Sequence, residues 1–160
     1  MVELLLVVIM VTIIAIIGAV AYGSFRFQNL MAAAEKVTAD LRYAKNLALT
    51  TNEWHGAAFQ PAPANTYNLY LTDGTNDTVI HDPEDPGRDF YVALSNLYHG
   101  ITINAVDIGG GQAVEFNPLG VPYTDQNGSV LTANGTITLS DGGTMVTIII
   151  AAETGRIYIQ

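Results

Sequence analysis

Residues 4–25 read LLLVVIMVTIIAIIGAVAYGSF, 22 positions without a charge, and Glu3 stands directly before them. As an α-helix this run is roughly 33 Å long, close to the ~30 Å hydrocarbon thickness of a bilayer. In lipid the backbone has to satisfy its own hydrogen bonds, so a lone span of this kind is helix. The run is apolar on every side. Three plain readings compete for it: a secretory signal cleaved after Ala19-Val20-Ala21, a membrane anchor, and a buried helix of a soluble protein. A signal core is shorter and follows basic residues rather than a glutamate, and a soluble core helix does not run 22 residues without a polar face.

Glu3 separates the remaining readings. A carboxylate at the edge of an apolar layer costs a few kcal/mol unless it is protonated or partnered, and such residues are functional by default. The nearest candidate partner is an α-ammonium, its own or that of a neighbouring copy. The run supplies Leu4, Leu5, Val8, Ile9, Ile13, Ile16 and Ile17 as a membrane-facing surface, with Glu3 at its head.

Past Gly23 the apolar positions narrow to a stripe. Phe27, Leu30, Met31, Ala34, Val37, Leu41, Ala44, Leu47 and Ala48 recur every three or four residues, the helical period. Arg26, Gln28, Asn29, Glu35, Lys36, Asp40, Arg42 and Lys45 occupy the other faces. One helix over residues 3–51 follows, ended by the poor helix formers Thr50, Thr51 and Asn52. Its second half packs on the rest of the chain through Phe27, Met31, Ala34, Val37, Leu41, Ala44 and Ala48.

From Glu53 onward the texture is short β-prone runs punctuated by Gly, Pro, Asn and Asp. Strands are expected at His55–Phe59, Tyr67–Thr72, Val79–His81, Ile101–Val106, Ala113–Asn117, Gly135–Ser140, Thr144–Ala151 and Arg156–Ile159. Asp141-Gly142-Gly143 and Glu153-Thr154-Gly155 read as hairpin turns, and Met145–Ile150 as a central strand buried on both faces. The fold class is α+β: a long helix on a mainly antiparallel sheet or β-sandwich head. It divides into a core helix (1–25), an amphipathic helix (26–52) and the head (53–160).

The net charge of −9 is unevenly placed. Four of the six basic residues lie between Arg26 and Lys45, while the chain from Glu53 carries twelve acids against Arg88 and Arg156. Such a head opposes phosphate neutralisation, so no nucleic-acid partner is expected. There are no cysteines, which excludes disulfides and thiolate metal sites. Asp73, Asp77, Asp82 and Asp85 are weak candidates for Ca²⁺, in a spacing that fits no EF-hand loop. His55, His81 and His99 lack metal-site spacing, and no catalytic or cofactor fingerprint occurs. Neither an enzyme nor a cofactor is implied.

The segment Met1-Val2-Glu3-Leu4-Leu5-Leu6-Val7-Val8-Ile9 resembles the start of type IV pilins and of the pseudopilins of type II secretion. If Glu3 is the family's glutamate, the resemblance implies that two residues of the mature chain, typically Phe-Thr, and a short leader are absent from this sequence. Many members have a proline where this chain has Val20, which puts their local helix unwinding in doubt here. The stretch Ala39-Asp40-Leu41-Arg42-Tyr43-Ala44-Lys45-Asn46-Leu47-Ala48 is similar to the helix of H-type minor pseudopilins and related minor pilins. In the head, Val114–Gly120, Gly135–Leu139 and Gly155–Ile159 follow in the order of that subgroup's motifs.

The resemblance implies a structural filament subunit, of a pilus or of a secretion pseudopilus. Its partners would be copies of itself or homologous pilins, the bacterial inner membrane before assembly, and the assembly machinery. Glu3 would neutralise the N-terminal amine of the adjacent subunit and so fix the axial register. The final location would be a cell-surface, extracellular or periplasm-spanning filament. The alternative is a tip subunit that binds a surface or DNA.

Overall fold

The computed structural model describes residues 2–160, and describes residues 4, 5 and 15–24 by backbone alone. Helix α1 (Val2–Thr51) is one element of 50 residues, about 75 Å long at 1.5 Å per residue. It stops where the side chains begin to compete with the backbone. The Thr50 and Thr51 hydroxyls donate back to the Asn46 and Leu47 carbonyls, and Asn52 turns the chain at φ 61°.

The head begins with β1 (Trp54–Gln60), β2 (Thr66–Thr72), β3 (Asp77–Val79) and β4 (Tyr91–Ala93), then a single turn, α2 (Leu94–Leu97). It continues with β5 (Thr102–Asp107), β6 (Ala113–Phe116), β7 (Pro122–Tyr123), β8 (Gly135–Ser140), β9 (Met145–Ile150) and β10 (Ile157–Ile159). One sheet runs β3-β2-β1-β6-β7, with β4 also on β2; the other runs β10-β9-β8-β5. The strand pairs are antiparallel. β3 and β4 share the outer edge of β2 end to end, pairing with Tyr70–Thr72 and Thr66–Asn68.

Four elements escape the sequence pattern, one of them the single turn α2. β4 has three residues and β7 two, too short for a period to register. β3 lies two residues before the expected Val79–His81, because Asp77 and Thr78 are recruited by pairing with Thr72 and Leu71. Both expected turns are present. Asp141 Oδ1 accepts from the Gly143 and Thr144 amides at the β8–β9 tip, and Gly155 N–H returns to Ala151 O between β9 and β10.

The inward residues of both sheets join the helix stripe in one core: Ala57, Phe59, Leu69, Val114 and Phe116 from the larger sheet, Ile103, Ile137, Leu139, Ile148 and Ile150 from the smaller. α1 touches strands of both. β9 corrects the expectation of burial on both faces along its length. Alternate side chains of a strand point to opposite sides of the sheet, and Val146, Ile148 and Ile150 point into the core. On the opposite face only Ile149 is buried: Thr147 is half-buried and Met145 is 61 % exposed.

Candidate functional site

The surface that sets this molecule apart is the first half of α1. Val2, Leu6, Val7, Val8, Ile9, Met10, Val11, Ile13 and Ile14 are each at least 49 % exposed, and the head covers none of them. The one hydroxyl among them, that of Thr12, donates at 2.8 Å to the Ile9 carbonyl of the preceding turn. Its polarity is thus spent within the helix. A contiguous apolar surface of this kind marks an interface with lipid or protein. Glu3 is exposed in the first turn of the same helix.

Of the residues expected to form the core surface, Val8, Ile9 and Ile13 belong to this exposed set. Leu4, Leu5, Ile16 and Ile17 lie outside the described side chains. Among the described residues no helix is long and apolar enough to cross a membrane. The 22-residue run is interrupted in that description at 4, 5 and 15–24.

The second half of α1 is fixed to the head. Leu30, Ala33, Ala34, Val37, Leu41, Ala44 and Ala48 are buried, and Met31 packs at the margin of the core. Phe27, expected to pack, is 47 % exposed: the buried stripe starts one turn later, at Leu30. Asp40 is a second correction. Assigned to a solvent face by the pattern, it is 7 % exposed and accepts Lys36 Nζ at 2.7 Å on both oxygens and the Tyr67 hydroxyl at 2.5 Å. Burial raises its pKa, opposed by the hydrogen bonds from Lys36 and Tyr67.

Two grooves flank this half of the helix. On one side a cleft of ≈ 470 Å³ separates α1 from the segment 82–97. Tyr43 stacks on Phe90 there, with centroids 6.2 Å apart, and Lys36 lies over the same ring at 5.4 Å. On the other side Arg42, Lys45 and Asn46 face Gly155, Arg156 and Ile157 across a shallow groove of ≈ 360 Å³. Arg42 donates to Ile157 O at 2.7 Å, and Lys45 Nζ to Thr154 O at 2.8 Å and Gly155 O at 3.0 Å. Desolvation lowers the Lys45 pKa.

That basic groove was hidden in the sequence. Read along the chain, Arg156 is an isolated cation; the β9–β10 hairpin carries it back to the helix. A sequence signal existed only in the Arg42–Lys45 spacing, which places both on one side of a helix.

The carboxylates considered for Ca²⁺ serve their own loops. Asp73 Oδ1 accepts from the Thr75 and Asn76 amides, Asp82 Oδ1 from that of Glu84, and Asp77 is in β3. Asp85 lies in the adjoining turn, where its carbonyl accepts from Arg88 N–H. Among the described residues no group of three or more acids or histidines is placed to hold a metal. His55 is buried, shares a hydrogen bond with Thr51, and has its pKa lowered by burial; His81 is 3.8 Å from Asp89.

No family model matches the chain, and no curated protein does so in sequence. Solved structures do resemble it. The type IV minor pilin FimU of Pseudomonas aeruginosa strain PAO1 gives a TM-score of 0.56 at 13 % identity, over 83 % of this chain and 89 % of that one. The minor pseudopilin EpsH from the Type 2 Secretion System of Vibrio cholerae gives 0.60 at 9 % identity, over 82 % of this chain and 96 % of that one. At these identities the likeness is one of fold: the chain has the α+β fold of minor pilins and minor pseudopilins.

Proposed function

We propose that this chain is a structural subunit of a helical filament of the pilus or secretion-pseudopilus kind, assembled with copies of itself or with homologous subunits. One observation carries the reading. A single 50-residue helix is locked to a β head over its second half and leaves the described side chains of its first half apolar and uncovered. Among the described residues nothing covers that surface.

Before assembly, residues 4–25 hold the subunit in the bacterial inner membrane with the head outside it. Assembly machinery withdraws it, and the helix exchanges lipid for the helices of other subunits, so the filament is held by apolar burial and close packing. Glu3 meets the N-terminal amine of an adjacent subunit in a low-dielectric layer. That contact fixes register more than it adds strength. The similarity of fold to FimU and EpsH supports the reading without carrying it.

The test is Glu3→Ala in cells that assemble the filament, with the sheared fraction quantified by mass spectrometry. Loss of the variant from filaments, with its head still folded and membrane-retained, is expected. Wild-type yield and incorporation of the variant would remove Glu3 from this role.

A further inference from the structure

Half of the six basic side chains of this acidic protein, Arg42, Lys45 and Arg156, meet in the groove between α1 and β10. Their hydrogen bonds and stacking leave the charge uncompensated: Arg42 and Lys45 bind carbonyls, Arg156 lies 5.5 Å from the Tyr158 ring centroid, and none pairs with a carboxylate among the described residues. At about 100° per residue, Arg42, Lys45 and Asn46 project to one side of the buried stripe. Lys36, Asp40 and Tyr43 project to the other, against the segment 82–92. That segment exposes Glu84, Asp85 and Asp89 beside Asp82, with Arg88 as its cation, while Lys36 is neutralised by Asp40.

The two flanks of one subunit are therefore opposite in charge and face away from each other. We infer that the basic groove at Arg42, Lys45 and Arg156 receives the acidic segment 82–89 of an adjacent copy in the filament. The inference rests on the filament reading and names the head contact within it. A patch that binds a different patch is heterologous, and such contacts repeat without closing into a dimer, as an open helical assembly requires. Opposite potentials select orientation and partner more than they add affinity. The uncovered apolar helix supplies the burial.

The absence of cysteine makes the test clean. In the full chain, Glu84→Cys and Arg156→Cys are introduced together, filaments are collected, and thiols are joined by oxidation or a short bis-maleimide. A ladder of dimers and higher multimers is expected, absent from either single variant. Filaments of normal yield that give monomers alone overturn the contact and leave the filament reading standing. Failure of the unmodified chain to enter filaments overturns both.

Charge exchange gives an independent arm: Glu84→Arg and Arg156→Glu each lower filament yield, and the double variant restores it. Unchanged yield in both single variants overturns the inference. So does low-salt retention of duplex DNA by wild-type filaments, lost with Arg156→Glu and unaccompanied by a ladder, which would give the groove to phosphate.

Discussion

The Tyr67 hydroxyl donates to Asp40 Oδ2 at 2.5 Å, joining the middle of the long helix to β2 through a carboxylate that is 7 % exposed. Lys36, one turn earlier, holds the same carboxylate at 2.7 Å. Asp40→Ala would leave the phenol and the ammonium without their acceptor. The expected loss is about 3 kcal/mol, as when one partner of a buried pair is removed. Tyr67→Phe keeps the Lys36 contact and deletes one charge-assisted hydrogen bond, for about 2 kcal/mol. Urea unfolding of the full chain in detergent, followed by near-ultraviolet circular dichroism, measures both. Equal losses would mean that Lys36 adds nothing to the cluster.

A second carboxylate is poised by pH. Gly56 stands opposite both Tyr70 and Glu115 on neighbouring strands, and over it the Tyr70 hydroxyl donates to Glu115 Oε1 at 2.9 Å. Glu115 Oε2 is a buried acceptor without a hydrogen bond of ordinary geometry among the described residues. Burial raises the Glu115 pKa, against the pull of the Tyr70 hydroxyl and the Gln126 backbone N–H. The folded state therefore holds this proton more tightly than the unfolded chain. The resulting stability is complete below the ordinary carboxylate range, near pH 4, and is lost as pH rises through the raised native value.

Glu115→Gln removes that loss. The variant is expected to gain about 1 kcal/mol at pH 7 and to lose its advantage toward pH 4. Thermal midpoints of both proteins across that range are the measurement. Asp40, raised in the same direction, is common to both and cancels in the difference. An advantage that does not change with pH would mean that Glu115 is not the titrating group.

What the sequence disclosed and what it withheld divide along physical lines. The helix was legible because its signals are local: an uncharged run, then apolar residues at a period of 3.6. Strands such as β8 and the turn at Asp141 were legible for the same reason. Phe27 satisfied the period, yet whether a stripe residue is covered depends on where the head docks, which no local pattern encodes. Asp40 was misplaced because its acceptors' partner, Tyr67, comes from another element. Arg156 joined Arg42 and Lys45 only through the return of a hairpin. The candidate site was half visible: its apolar helix in the residues themselves, its charged flanks only in the folded chain.

The hairpin that carries Arg156 is set by a close approach of two glycines. Gly155 has φ +60°, and a Cβ there would lie 2.5 Å from Gly120 O, closer than real contacts allow. The turn also presents the Thr154 and Gly155 carbonyls to Lys45. Gly155→Ala is therefore charged twice, with about 1 kcal/mol for the left-handed backbone and the rest for pushing β10 off the 117–121 turn. A total on the order of 3 kcal/mol is expected. Gly110, at φ +85° with nothing within 4 Å of its Cβ position, isolates the first cost. Gly110→Ala should then lower stability by only about 1 kcal/mol. Chemical denaturation of the two variants side by side decides it: equal destabilisation would show that the Gly120 contact relaxes freely, and that the groove at Lys45 does not depend on it.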